Sequence, residues 1–152
     1  MKHLKPYIYF WFVALIIFII GLFFRTNDDV IVINIHDTYY VISNLHISII
    51  FAIIYSIIGF AYWILDKTTL KLFSRLTQIH LIISMGCFLV FIIGIWYFNK
   101  IKTESEFPLF YDSLHENTFI ILVFTIFFLS QILLILNLIA STLKQILAKK
   151  SK

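Results

Sequence analysis

Two histidines and an aspartate lie at the start of a long apolar run, in residues 36–46, which read HDTYYVISNLH. Imidazole and carboxylate groups are costly to bury in a membrane unless hydrogen bonds, a metal ion or neighbouring helices satisfy them. Histidines in such a segment can bind a haem or a metal ion, or they can be held by neighbouring helices. The candidate residues for such chemistry are His36, Asp37 and His46.

The composition is that of a membrane protein. Of the 152 residues, 61% are hydrophobic and only 13% are charged. A soluble domain is about half apolar and roughly a quarter charged. The net charge of +4 comes from basic residues dispersed at the flanks of apolar blocks. This pattern indicates orienting charge, so the lipid bilayer is the expected partner and nucleic acid is not.

Four uncharged apolar segments predict four transmembrane helices. They cover about residues 7–24, 38–65, 76–98 and 118–143. Each is long enough to cross a hydrocarbon core of about 30 Å at about 1.5 Å per residue. Because backbone groups in lipid must be satisfied within their own segment, helices are expected. The predicted fold class is all-α, an integral membrane four-helix bundle that forms one domain over residues 1–152.

The start of the second segment decides how deep its polar residues lie. Asp37 followed by Thr38 is a plausible N-cap before an apolar helix. With that start, His46 is expected two to three turns inside the helix, at membrane depth.

Lysine and arginine are distributed unevenly among the segments that flank the helices. Most precede the first helix, join the second to the third, or follow the fourth, and the other two loops carry only Arg25, Lys100 and Lys102. The positive-inside bias therefore predicts that both termini are cytoplasmic. His36 and His115 then lie with most of the acidic residues on the outer side, where His115 is expected in a solvated polar cap.

The run IHDTYYVISNLHISIIFAIIYSIIGFAYW resembles the tenth transmembrane helix of subunit I of haem–copper oxidases, the cytochrome c and quinol oxidase family. The family pattern there is close to H-D-T-Y-Y/F-V-V-A-H-F-H. Weaker similarity links RTNDDVIVINI to the loop after the ninth helix, LTQIHLIISMG to the eleventh helix and FYDSLHENTF to the lead into the twelfth. The chain thus resembles the last four helices of that subunit. The resemblance implies a respiratory protein of a bacterial cytoplasmic membrane.

The resemblance also assigns roles to residues. In an ungapped alignment from DTYY, His46 matches an axial ligand of the low-spin haem, and Asn44 stands where the family has the histidine of the oxygen-reducing haem. His36 and Asp37 match a His–Asp pair that contributes to a bound Mg²⁺ or Mn²⁺. Asparagine is not a normal axial ligand, and the resemblance covers none of the helices that carry the copper ligands. The chain alone is therefore expected not to reduce oxygen.

Three functions remain open at this point. The chain is a truncated subunit I-like protein accessory to a respiratory oxidase, a haem-binding electron-transfer protein, or a cofactor-free helical interaction module. In the second case, His46 from each of two copies would ligate one haem. The same residues can instead have purely structural roles. His36 and Asp37 can cap a helix at the outer surface, and His46 can hydrogen-bond to Ser43, Asn44 or a tyrosine.

Further polar side chains lie within the apolar segments. Asn137, Gln131 and Ser84 are expected to bridge helices through hydrogen bonds. His80, close to the cytoplasmic end of the third segment, is expected to be an interfacial histidine and not a ligand.

Overall fold

The computed structural model describes residues 5–23, 30–35, 38–104 and 114–150. These ranges contain four helices and one β-hairpin: α1 (Pro6–Phe23), β1 (Val30–Ile35), β2 (Thr38–Ser43), α2 (Asn44–Lys67), α3 (Ser74–Glu104) and α4 (Leu114–Lys150). All four helices are long and apolar enough to cross a membrane. The prediction of an all-α class with four membrane-capable helices is confirmed.

The chain divides into two compact units, Met1–Leu70 and Lys71–Lys152. Each unit is built around one pair of helices, α1 with α2 and α3 with α4. Both pairs expose many large apolar side chains, which suits contact with lipid. That the two pairs form one four-helix bundle stays a prediction.

In the first unit, α1 and α2 pack antiparallel. The inward residues of α1 recur at alternating steps of four and three: Phe10, Ala14, Ile17 and Gly21. Those of α2 recur in the same way: Ala52, Tyr55, Gly59 and Tyr62. Steps of three and four keep side chains on one face of a helix, so each helix presents a continuous contact stripe.

The contact between α1 and α2 is made by stacked aromatic rings and by close approach at two glycines. The ring of Phe10 stacks on that of Tyr62 with the centroids 5.6 Å apart. A Cβ atom added at Gly59 would lie 2.5 Å from Cδ1 of Trp11, and one at Gly21 would collide with Ser48. Only glycine at these two positions lets the helices approach this closely.

A β-hairpin precedes α2, and it corrects the predicted start of the second helix. β1 and β2 pair antiparallel in a register that joins Val30 to Ser43 and Ile35 to Thr38. Residues 38–43 are therefore a strand and not the first turns of a helix. The reason lies in their β-branched and aromatic residues and in an equally long Val/Ile-rich partner two residues upstream.

The N-cap of α2 is Ser43. Its backbone is extended, with φ −62° and ψ 139°, and its Oγ accepts a hydrogen bond from the Leu45 amide at 3.3 Å. The expected N-cap at Asp37 is therefore wrong, because the helix begins only at Asn44.

In the second unit, α3 and α4 also pack antiparallel. Most of the buried residues of α4 follow a heptad-like alternation: Glu116, Ile120, Val123, Phe127, Ser130, Asn137 and Ser141. Near the end of α3 and the start of α4 the contact is aromatic, with Phe98 on Phe119 and Phe91 on Phe124, each pair 5.6 Å between centroids. Toward the start of α3 and the end of α4 the contact becomes polar.

Candidate functional site

The structure places His46 in the first turn of α2, with its side chain exposed. The expected depth of two to three turns is wrong, because β2 occupies the preceding six residues. Asn44, two residues earlier, is half-buried, and side chains two apart on a helix point about 200° away from each other. His46 makes no hydrogen bond to any residue that the structure describes.

His36 and Asp37, the predicted ligands of Mg²⁺ or Mn²⁺, lie outside the described residues. Within the described ranges, no group of three or more His, Cys, Asp or Glu side chains is placed to hold a metal ion. His115 is exposed at the start of α4, while the adjacent Glu116 is buried against the helix pair. The metal-binding role of His36 and Asp37 stays a prediction.

The most developed polar site of the described chain lies between α3 and α4, and we call it the polar seam. It consists of Thr77, His80 and Ser84 of α3 and Ser130, Gln131, Asn137 and Ser141 of α4. His80, Ser84 and Asn137 are fully buried, and only Gln131 is partly exposed. Polar groups at such positions require hydrogen-bond partners.

The part of the polar seam farther from the start of α3 is a chain of hydrogen bonds that starts at His80. Its Nε2 lies 3.0 Å from Oε1 of Gln131. Because an amide oxygen only accepts, Nε2 carries the proton and donates it. The Gln131 amide donates in turn to the Phe127 carbonyl and to the Ser130 hydroxyl, each at 3.0 Å.

Two serines complete this chain of hydrogen bonds. Ser130 Oγ donates to the Phe127 carbonyl at 2.7 Å and lies 3.2 Å from Ser84 Oγ. Since the single proton of the Ser130 hydroxyl points to Phe127, Ser84 is the donor in the contact between the two serines. This part of the polar seam thus connects α3 to α4 by two contacts, His80 with Gln131 and Ser84 with Ser130.

The part of the polar seam nearest the start of α3 is centred on Asn137. Its Oδ1 accepts from the backbone amide of Phe73 at 2.8 Å, and its Nδ2 donates to the Phe73 carbonyl at 3.2 Å and to Thr77 Oγ1 at 2.9 Å. Ser141 Oγ donates to the same Oδ1 at 3.3 Å. Phe73 immediately precedes α3, so a side chain of α4 holds both backbone groups at the point where α3 begins.

This arrangement uses polar side chains as helix–helix contacts. Each bond between membrane helices contributes only about 0.6 kcal/mol on average. However, the bonds are directional, so together they define how far α3 is shifted along α4. The predicted bridging roles of Asn137, Gln131 and Ser84 are confirmed.

His80 was predicted to lie at the membrane interface, but its side chain is completely buried between α3 and α4. The signal was present in the spacing: Thr77, His80 and Ser84 are three and four residues apart, which puts them on one helix face. Ser130, Asn137 and Ser141 follow steps of seven and four on α4 and mark its matching face. Polar residues repeated at these steps on two helices indicate a polar contact stripe.

No protein-family model, curated protein or solved structure matches this chain.

Proposed function

We propose that this chain is a helical interaction protein of the membrane, related to the C-terminal quarter of haem–copper oxidase subunit I. In this proposal it serves as an accessory to a respiratory oxidase and does not reduce oxygen by itself. It lies in the cytoplasmic membrane of a bacterium with both termini in the cytoplasm. The distribution of Lys and Arg supports this orientation.

One observation on α3 favours an interaction role. Of the four glycines, Gly21, Gly59 and Gly94 face a side chain of the neighbouring helix, but a Cβ atom added at Gly86 would meet nothing within 4 Å. Gly86 lies on an apolar face with the exposed side chains of Ile82, Leu89 and Ile93. A glycine among larger residues leaves a notch where the backbone of another helix can approach closely.

Loss of the protein is expected to lower the amount of assembled oxidase several-fold, as losing a stabilising subunit contact does. The measurement is the reduced-minus-oxidised haem absorbance of native membranes, together with their oxygen uptake. Re-expression of the wild-type chain is expected to restore both. Re-expression of a Gly86→Leu variant is expected not to, because leucine fills the notch.

A matched control variant distinguishes loss of the contact at Gly86 from a general effect of adding a leucine side chain. Ala148→Leu enlarges an exposed small side chain near the end of α4, on another helix than Gly86, and is expected to restore the oxidase like the wild type. Unchanged oxidase levels after deletion would rule out the accessory role. Full restoration by Gly86→Leu would show that the partner does not approach at Gly86.

A second candidate function, haem binding, is favoured by the exposure of His46. His46 lies on the outside of α2, where the imidazoles of two copies of the chain would together hold one haem. A haem held in this way would supply one-electron transfer. The predicted Mg²⁺ or Mn²⁺ site at His36 and Asp37 belongs to the same proposal, since the family has it near the haem.

For this candidate, protein purified in detergent with haem supplied is expected to show a Soret band with one haem per two chains. His46→Ala is expected to remove the band, because the iron loses its ligand. His115→Ala changes another exposed histidine and is expected to leave the band intact. If wild type and His46→Ala are equally colourless, haem binding by this chain is refuted.

A further inference from the structure

We propose that the start of α3 and the end of α4 together form a binding site for the headgroup of an anionic phospholipid. The site consists of the basic side chains of Lys71 and Arg75, which are close to Phe73 in sequence, and of Lys144, whose ammonium group lies over the ring of Phe73. It uses residues that have no part in the proposed contact at Gly86.

Two of the three exposed cations are near Phe73 in sequence, and the third lies against its ring in space. Lys71 and Arg75 lie two residues before and two residues after Phe73, and all three are exposed. Lys144 comes from α4, and its Nζ lies 5.2 Å from the centroid of the Phe73 ring. The site is therefore assembled from both helices of the unit, and none of its cations is buried.

The polar seam holds this arrangement in place. Asn137 binds the backbone amide and the carbonyl of Phe73, and Thr77 Oγ1 donates to the same carbonyl at 3.2 Å. The backbone between Lys71 and Arg75 is thereby anchored to α4, close to Lys144. A preorganised cluster of cations binds an anion with a smaller loss of conformational entropy than freely moving side chains do.

Charge at this end of the unit is of one sign. Residues 67–103 and 117–152 contain no Asp or Glu, and Lys149 and Lys150 follow Lys144 on α4. No carboxylate in these stretches competes for the three cations. The complementary partner is an anion, and a phosphodiester accepts hydrogen bonds from Lys and Arg with high strength.

The position along the helices selects a lipid over a soluble anion. Lys144 follows the apolar run of α4, and Arg75 precedes that of α3, so the cations lie where hydrocarbon gives way to headgroups. Ile79, one turn after Arg75, and Leu143, just before Lys144, are also exposed and belong to the apolar runs. A phospholipid can therefore place its phosphate among the cations and its acyl chains along these apolar residues.

The test compares lipids on the purified full chain in nonionic detergent, with native mass spectrometry as the measure of retained lipid. Phosphatidylglycerol is expected to be retained in preference to phosphatidylcholine, and sodium chloride is expected to weaken the retention. Each cation near a headgroup contributes roughly fivefold in affinity. Lys144→Gln is thus expected to weaken retention about fivefold, and the triple variant Lys71→Gln, Arg75→Gln, Lys144→Gln roughly a hundredfold.

A control variant of equal charge has Lys5→Gln, Lys67→Gln and Lys100→Gln, three other exposed lysines. It is expected to retain phosphatidylglycerol like the wild type. Equal losses in the control and the triple variant would overturn the proposal, because the attraction would then be diffuse. Displacement of phosphatidylglycerol by millimolar inorganic phosphate would also overturn it in favour of a soluble anion. The helical content from circular dichroism confirms that the variants compared are folded.

Discussion

Replacing Asn137 with leucine is expected to destabilise the α3–α4 pair by about 1–3 kcal/mol, the cost of leaving a buried donor without its partner. Asn137 is fully buried and makes four hydrogen bonds. Leucine has a similar volume but restores none of them. The Phe73 carbonyl keeps the Thr77 hydroxyl as a donor, whereas the Phe73 amide loses the oxygen of Asn137.

The measurement is reversible unfolding in mixed micelles with an increasing fraction of denaturing detergent. Amide hydrogen exchange at residues 73–77 is expected to rise in the same variant, because α4 no longer holds the start of α3. Leu136→Ala alters the adjacent, exposed position and serves as the control, with a much smaller effect. Unfolding of Asn137→Leu at the wild-type detergent fraction would show that the polar seam does not stabilise the pair.

Replacing Gly94 with leucine is expected to cost about 1–3 kcal/mol, as overpacking of a filled contact does. A Cβ atom at this position would overlap the ring of Phe119. The ring cannot stay in place, and moving it sacrifices its contact with Phe98. The same unfolding experiment measures the loss.

Two further variants make the Gly94 experiment specific. Gly86→Leu is the same substitution on the same helix at an open position, so it is expected to keep or slightly raise the stability, since leucine is a better helix former than glycine. Phe119→Ala combined with Gly94→Leu is expected to recover part of the loss, because the two sites share one contact. Equal destabilisation by Gly86→Leu and Gly94→Leu would contradict the packing described above.

Hydropathy does not reveal which glycines pack against a neighbouring helix, as the three buried glycines do and Gly86 does not. All four occur within apolar runs, and nothing in their immediate neighbours separates them. Which glycine faces a neighbouring side chain depends on how each helix is rotated toward its partner. That rotation is decided by the packing of the whole contact stripe.

Part of the candidate site was predictable and part was not. Asn137, Gln131 and Ser84 were identified as bridging residues because polar side chains in lipid require partners. Their partners were not predictable, since Gln131 meets His80 across 51 positions of sequence and Asn137 meets Phe73 across 64. For His46, the ligand role was only an implication of the resemblance, and its predicted depth depended on where the helix begins.

The sequence by itself determined the membrane class and the existence of four helices. Long uncharged apolar segments leave the backbone no partner in lipid except its own, so the helix follows from hydropathy alone. Only the tertiary structure decided that residues 38–43 form a strand, because a strand needs a second segment to pair with, and Val30–Ile35 supplies it. The tertiary structure likewise decided that His80 is buried and His46 exposed, because burial depends on which face a neighbouring helix covers.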